Sequence, residues 1–316
     1  MKVWWAPYEL TFRESKKARN GALLRFEFKD IGFGYADLFP WPEFRDEDLK
    51  TQINNLRLGR LSPLLERSVA FAKEDAIARS EKRSLFYGLV SKIARSHYLF
   101  MSPEIEMEEL EKIVGDGFNT IKIKLENGVH WINKLKNHQL SKNLKIRLDF
   151  NNKLTENEYI KFLEQLDSSA RNLIEFVEDP TPFENSSWIK FNNAIPLALD
   201  CGSDKNFSEF EHLGFKYLIL KPARQSLETI NLPDGIKPVI MGYLDHPVGQ
   251  SFAALSSARW RGEKLEAGIC YHTCYRTNAY SERLKIKNAA LVPDDGIGIG
   301  FGELLEKEKW EFLHGN

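Results

Sequence analysis

Between Thr120 and Lys221 one plan recurs: a short apolar run that ends on or beside a charged side chain. Thr120–Leu125 reads Thr-Ile-Lys-Ile-Lys-Leu, so Ile121 and Ile123 alternate with Lys122 and Lys124 at the period of a strand with one apolar face. Asp149 follows 27 residues after Lys122, Glu178 after a further 29, Asp200 after 22 and Lys221 after 21. The strands expected around these tips are 144–150, 173–178, 196–201 and 217–221, with others at 96–101, 238–243 and 266–270. Helical patterns lie between them: 103–114, 156–166, shorter ones after Phe183, Phe207 and Ser226, and one from His246-Pro247 to about Trp260. Repeated βα units of this size build a parallel sheet, and eight of them close into a barrel. An open doubly wound sheet is the alternative, but no glycine-rich dinucleotide loop follows the first strand.

The N-terminal texture differs. Strand patterns at 3–12, 22–28 and 31–42 come first, then helical ones at 47–59 and from Pro63 onward. Strands in a block followed by helices in a block predict a small α+β unit, with domains at 1–90 and 91–292. The segment 293–316, entered through Gly296, Gly298, Gly300 and Gly302, is expected to pack back on the first unit. A net charge of −1 gives no reason to expect nucleic acid or an anionic membrane as a partner. No apolar run approaches 18 residues and charges interrupt the N-terminus, so a soluble, cytoplasmic protein is expected. Three cysteines fit a reducing compartment rather than a disulfide framework. Composition does not fix the oligomeric state, and a monomer suffices.

In a barrel the C-terminal strand ends form the mouth, so Lys122, Lys124, Asp149, Glu178, Asp200, Lys221 and Gly242 should converge there. Three carboxylates at one point repel one another unless a cation sits among them, and all-oxygen ligands favour a hard ion such as Mg²⁺ or Mn²⁺. Each acid alone would be read as a salt bridge or helix cap; the joint pattern points to a metal. A lysine near that cation and a second lysine has its charged form disfavoured and can serve as a base. The cation would bind a substrate carboxylate and stabilise the charge left when an α-proton departs.

Lys122-x-Lys124, Arg147-Leu148-Asp149-Phe150-Asn151, Glu178-Asp179-Pro180, Leu199-Asp200 and Leu220-Lys221-Pro222, in this order, resemble the muconate-lactonizing subgroup of the enolase superfamily. The resemblance covers most of the chain and implies a modified (β/α)₇β barrel carrying an α+β capping domain. It implies Asp149, Glu178 and Asp200 as ligands of Mg²⁺, with Lys124 and Lys221 as the catalytic pair and Lys122 supporting them. A His/Asp dyad late in the barrel would mark the mandelate-racemase subgroup, and Lys221 argues against it. Within the subgroup, Arg147-Leu148-Asp149 followed by Asn151 is most similar to the branch that removes water from a cyclohexadiene carboxylate, giving an aromatic acid in menaquinone synthesis. By that likeness Lys124 abstracts the α-proton and Lys221 stays protonated. Arg147 would point near Lys124, or else form a structural ion pair at the barrel rim. The alternative activity is a dipeptide epimerase or N-acylamino acid racemase using the same lysines, one per face. A non-enzymatic barrel would keep the charges only as a salt-bridge network.

Two departures stand out from that family. Cys201 follows Asp200 where glutamate is usual, and Met241–His246 replaces a small serine-rich turn. Gly242 and the helix starting at Pro247 still suit binding of a substrate carboxylate by backbone N–H groups. Cys270, His272 and Cys274 would share one face of a strand; without a second ligand pair they read as core or rim rather than zinc. Substrate choice should rest with loops at 11–21 and 34–44.

Overall fold

The computed structural model describes residues 1–15, 17–125, 132, 135, 136 and 138–315. Strands β1 (Lys2–Thr11), β2 (Ala18–Phe28) and β3 (Gly32–Leu38) form an antiparallel sheet in chain order. Helices α1 (Leu49–Arg57) and α2 (Pro63–Ser80) follow, capped by Asp48 accepting from Thr51 N and Ser62 accepting from Leu65 N. Pro63 opens α2, where its missing N–H costs nothing. α2 lies so close on the sheet that a Cβ on Gly34 would stand 1.8 Å from Ala72 O, so only glycine fits there.

The second sheet has seven parallel strands: β4 (Tyr98–Phe100), β5 (Thr120–Lys124), β6 (Lys145–Asp149), β7 (Ile174–Glu178), β8 (Leu197–Leu199), β9 (Tyr217–Leu220) and β10 (Lys237–Ile240). Between them run α3 (Met107–Gly115), α4 (Glu156–Glu164), α5 (Ser168–Leu173) and α6 (Asn185–Asn192), and α7 (Pro247–Arg259) follows β10. Thr155 and Glu158 close a reciprocal capping box on α4. The strand expected at 266–270 is reduced to Ala267 and Gly268, which bridge Ser96 before β4 and Met241 after β10. Those bridges join the two edges of the sheet, giving a TIM-type barrel of the (β/α)₇β kind. No helix among the described residues is long and apolar enough to cross a membrane.

Strand parity then decides what faces where. Ile121, Ile123, Ile146, Leu148, Val177, Leu197, Leu199, Leu218 and Leu220 form the outer core with the helices. The opposite parity fills the interior with Phe176, Ala198, Ile219, Val239 and Met241. After β10 the hairpin β11 (Lys285–Lys287) and β12 (Ala290–Val292) and helix α8 (Gly302–Lys307) lead to β13 (Glu311–His314), which pairs antiparallel with β1. Asp75 on α2, fully buried, accepts from Tyr35 N, Ile299 N and Arg79 Nε, tying β3 to this returning segment.

Three local expectations are corrected. No helix follows Phe207, and Ser226 is followed only by a 3₁₀ turn, Leu227–Thr229. Cys270–Cys274 is not a strand: Tyr271–Cys274 is a 3₁₀ turn, so alternation cannot put the thiols and imidazole on one strand face. Among the described residues no three His, Cys, Asp or Glu side chains stand close enough to hold a metal as they are.

Candidate active site

The inward parity of β5 carries Lys122 and Lys124, that of β6 Asp149 and that of β7 Glu178. Lys124 is in register with Asp149, and Asp149 with Glu178, so three tips share one level. Asp200 and Lys221 stand one residue beyond β8 and β9. Lys122 Nζ lies 2.9 Å from Asp149 Oδ2 and 2.5 Å from Glu178 Oε1, with all three side chains buried. Lys221 Nζ lies 2.5 Å from Asp200 Oδ2, and 5.1 and 5.2 Å from the ring centres of Phe44 and Tyr243. Among the described residues Lys124 is in no ion pair within 4.0 Å.

These contacts set the protonation of the groups. Burial lowers the proton affinity of Lys124, and the charges of Lys122 and Lys221 add to that against the opposing Asp149. Burial acts the same way on Lys122, but Asp149 and Glu178 outweigh it and hold its pKa well above the usual value. Asp149 is held low because Lys122 and Lys124 overcome its burial. Burial pushes Glu178 up to about 8, with Asp149, Asp200 and Asp179 adding repulsion against the pull of Lys122.

By donor type the carboxylates suit a hard divalent cation, though among the described residues no three of them are gathered closely enough to hold one as they stand. Among the described residues Glu178 Oε2 is buried with no hydrogen-bond partner, and the acids around Glu178 make its ionised form costly without added positive charge. Lys122 and Lys221 stand against the same carboxylates, so a cation there would share them with the lysines.

A cavity of about 30 Å³, room for roughly one water, lies among Lys122, Lys124, Asp149, Asp200, Lys221 and Tyr271. Lys124, Asn151 and Phe44 also line an open cleft of about 2370 Å³, whose far walls come from 12–15, 17–20, 40–44 and 48–51. The cleft thus runs from the lysines to the N-terminal unit, where the Arg19 guanidinium lies 3.7 Å from the Trp41 ring centre.

Asn151 lends its backbone: at φ 49° its N–H reaches Asp149 Oδ1 at 3.1 Å. Arg147 is level with Lys122, one layer below Lys124, and donates to Glu175 Oε2, His97 Nδ1 and Glu266 O. The expectation that it points near Lys124 is therefore corrected; parity turned it inward, but one strand step too deep. Gly242 is corrected too. Its N–H donates to Gly268 O in the barrel closure, and the first N–H groups near α7 are taken by Asp37 and His246. Asp179 was missed: buried at φ 43°, it accepts from Asp200 N and Cys201 N and so fixes the turn that presents Asp200. Its position in Glu178-Asp179-Pro180 was the available signal.

Residues 3–78 match the family model described as O-succinylbenzoate synthase, N-terminal domain. Over 324 aligned residues the chain is 31% identical to the o-succinylbenzoate synthase of Bdellovibrio bacteriovorus, covering 98% of each. The chain belongs to the o-succinylbenzoate synthase family. Members of this family are lyases, and the chain is an enzyme of that class. Solved structures share the fold at low identity. A dipeptide epimerase from Enterococcus faecalis V583 superposes with TM-score 0.71 at 16% identity, over 95% of this chain and 98% of that one. An enolase-superfamily member from the same organism gives TM-score 0.75 at 14% identity, over 99% of each.

Proposed function

We propose that this o-succinylbenzoate synthase family member carries out the Mg²⁺-dependent syn-dehydration of 2-succinyl-6-hydroxy-2,4-cyclohexadiene-1-carboxylate to o-succinylbenzoate, in the cytoplasm, as a step of menaquinone biosynthesis. Residues 1–90 with 293–316 would act as the capping unit and 91–292 as the catalytic barrel. The observation that carries the reaction type is the asymmetry of the two lysines. Lys124 has a lowered proton affinity and no ion pair among the described residues, as a base requires. Lys221 is paired with Asp200 and flanked by two rings, as a cation that stays charged requires.

In this mechanism Lys124 Nζ takes the α-proton of the carboxylate substrate. Lys221 holds its proton and offsets the negative charge that grows on the carboxylate as an enediolate. Lys124 then returns the proton to the departing hydroxyl on the same face, so water leaves syn and the ring becomes aromatic. Asp149, Glu178 and Asp200 would hold the divalent cation, which when bound supplies Lewis-acid charge to the substrate carboxylate. Lys122 offsets the charge of two of those acids, and the backbone of Asn151 and the side chain of Asp179 keep Asp149 and Asp200 in place.

An epimerase or racemase would need both lysines to act on the substrate, one per face, and Lys221 instead lies 2.5 Å from Asp200 Oδ2. The test is ultraviolet absorbance with the cyclohexadiene carboxylate, with Mg²⁺ and then with excess chelator. Metal-dependent appearance of the aromatic product supports dehydration. No product, together with solvent deuterium entering a dipeptide or N-acyl amino acid, replaces it with the epimerase.

A further inference from the structure

A line of polar side chains crosses the barrel interior below Lys124 and ends at the cavity beside it. Glu175 accepts from Arg147 Nε at 2.6 Å, Arg147 Nη1 stands 2.9 Å from His97 Nδ1, and His97 Nε2 stands 3.1 Å from the Tyr271 hydroxyl. Arg147, His97 and Tyr271 are buried, and Tyr271 lines the cavity shared by Lys122, Lys124 and Asp149.

The donor inventory gives this line a direction. A guanidinium has only N–H donors and does not lose its charge, so His97 Nδ1 must present its lone pair to Arg147. His97 is thereby restricted to the neutral ring with its single proton on Nε2, and that proton is donated to the Tyr271 oxygen. Burial and the nearby charges of Arg147 and Lys122 also disfavour a protonated ring. The Tyr271 proton cannot point back along a bond in which its oxygen is the acceptor. It is left to turn toward the cavity, whose carboxylates Asp149 and Asp200 already face Lys122 and Lys221. The arrangement depends on Gly268, because a Cβ there would stand 2.2 Å from the Tyr271 hydroxyl and 2.7 Å from His97 Cε1.

We propose that Tyr271 is a further catalytic residue, a hydrogen-bond donor to an oxygen of the bound carboxylate substrate, and that His97 and Arg147 are positioning residues that fix the direction of its O–H. The substrate half rests on the dehydratase reading above; the direction of the line does not.

Two measurements test it. In protein labelled with ¹⁵N-histidine, with the His97 signals identified by their loss in His97→Gln, the ring should show an unprotonated Nδ1 and a protonated Nε2 from pH 5.5 to 8.5. A protonated Nδ1 or a doubly protonated ring overturns the directional claim. Separately, Tyr271→Phe, which removes only the hydroxyl, should lower kcat roughly 10²-fold with little change in melting temperature, the scale of losing one donor to developing charge. Unchanged kcat and KM overturn the catalytic claim. Absence of turnover in the unsubstituted protein overturns the dehydratase reading and the substrate half with it, while the histidine spectrum still decides the direction.

Discussion

Replacing Lys122 by methionine keeps most of its apolar stem and removes its charge. The Lys122 side chain is 6% exposed and its partners Asp149 and Glu178 are 4% and 1% exposed, so water cannot take over its role. A surface pair would cost about 0–1 kcal/mol. Removing one partner of a buried pair costs about 3–5 kcal/mol, because the remaining charge is left uncompensated. Here two carboxylates lose the same partner, and Glu178 is already pushed to about 8, so Asp149 carries most of the loss at neutral pH. For a chain of this size roughly 2 °C of melting temperature accompanies each kcal/mol, giving a fall of about 6–10 °C. The assay is thermal unfolding by circular dichroism at pH 7.5, in chelator and in millimolar Mg²⁺. Mg²⁺ should raise the melting temperature of the variant more than that of the unsubstituted protein, because a divalent cation can replace the missing charge. A variant that melts within 2 °C of the unsubstituted protein in chelator would refute the claim that Lys122 neutralises these acids.

Lys124→Ala should lower kcat on the order of 10³-fold, within the range of a lost general base, while calorimetry shows Mg²⁺ binding intact; retained turnover removes the base assignment. Asp149→Asn should raise the Mg²⁺ concentration needed for half-maximal activity, and an unchanged requirement would sink Asp149 as a ligand. Burial raises Asp37 to about 7, against hydrogen bonds from Tyr8 and His246 N. A raised folded-state pKa gives stability that is complete below the unfolded value near 4 and lost as pH climbs to about 7. Asp37→Asn should therefore flatten the fall of melting temperature between pH 4 and 7, and identical slopes for the two proteins would contradict this.

Much of the barrel was legible because its strands are short and alternate strictly. Ile121 and Ile123 against Lys122 and Lys124 fixed β5 and its inward face, and the same parity brought out Asp149, Glu178 and Lys221. The stretches that misled carried weak or mixed signals. The segment after Phe207 has apolar residues but no helical arrangement in the fold, and Cys270–Cys274 alternates like a strand yet turns. Gly268, just before that turn, has no room for a side chain, since the Tyr271 hydroxyl and the His97 ring fill the space it would need. Arg147 showed the limit of parity: it gives the face of a side chain but not its depth along the barrel axis.

Sequence alone determined the period of the βα units, the inward parity of the charged tips and the chemical character of the mouth, because alternation and residue type are local properties. Only the tertiary structure decided which charges pair. Lys122 and Lys124 differ by one strand step, yet one is clamped between two acids and the other is left as the base candidate. Pair distances depend on strand register and stagger across the barrel, and the positioning of Asp200 by Asp179, the turning of Arg147 to His97 and the use of the Gly242 N–H in closure follow from that geometry.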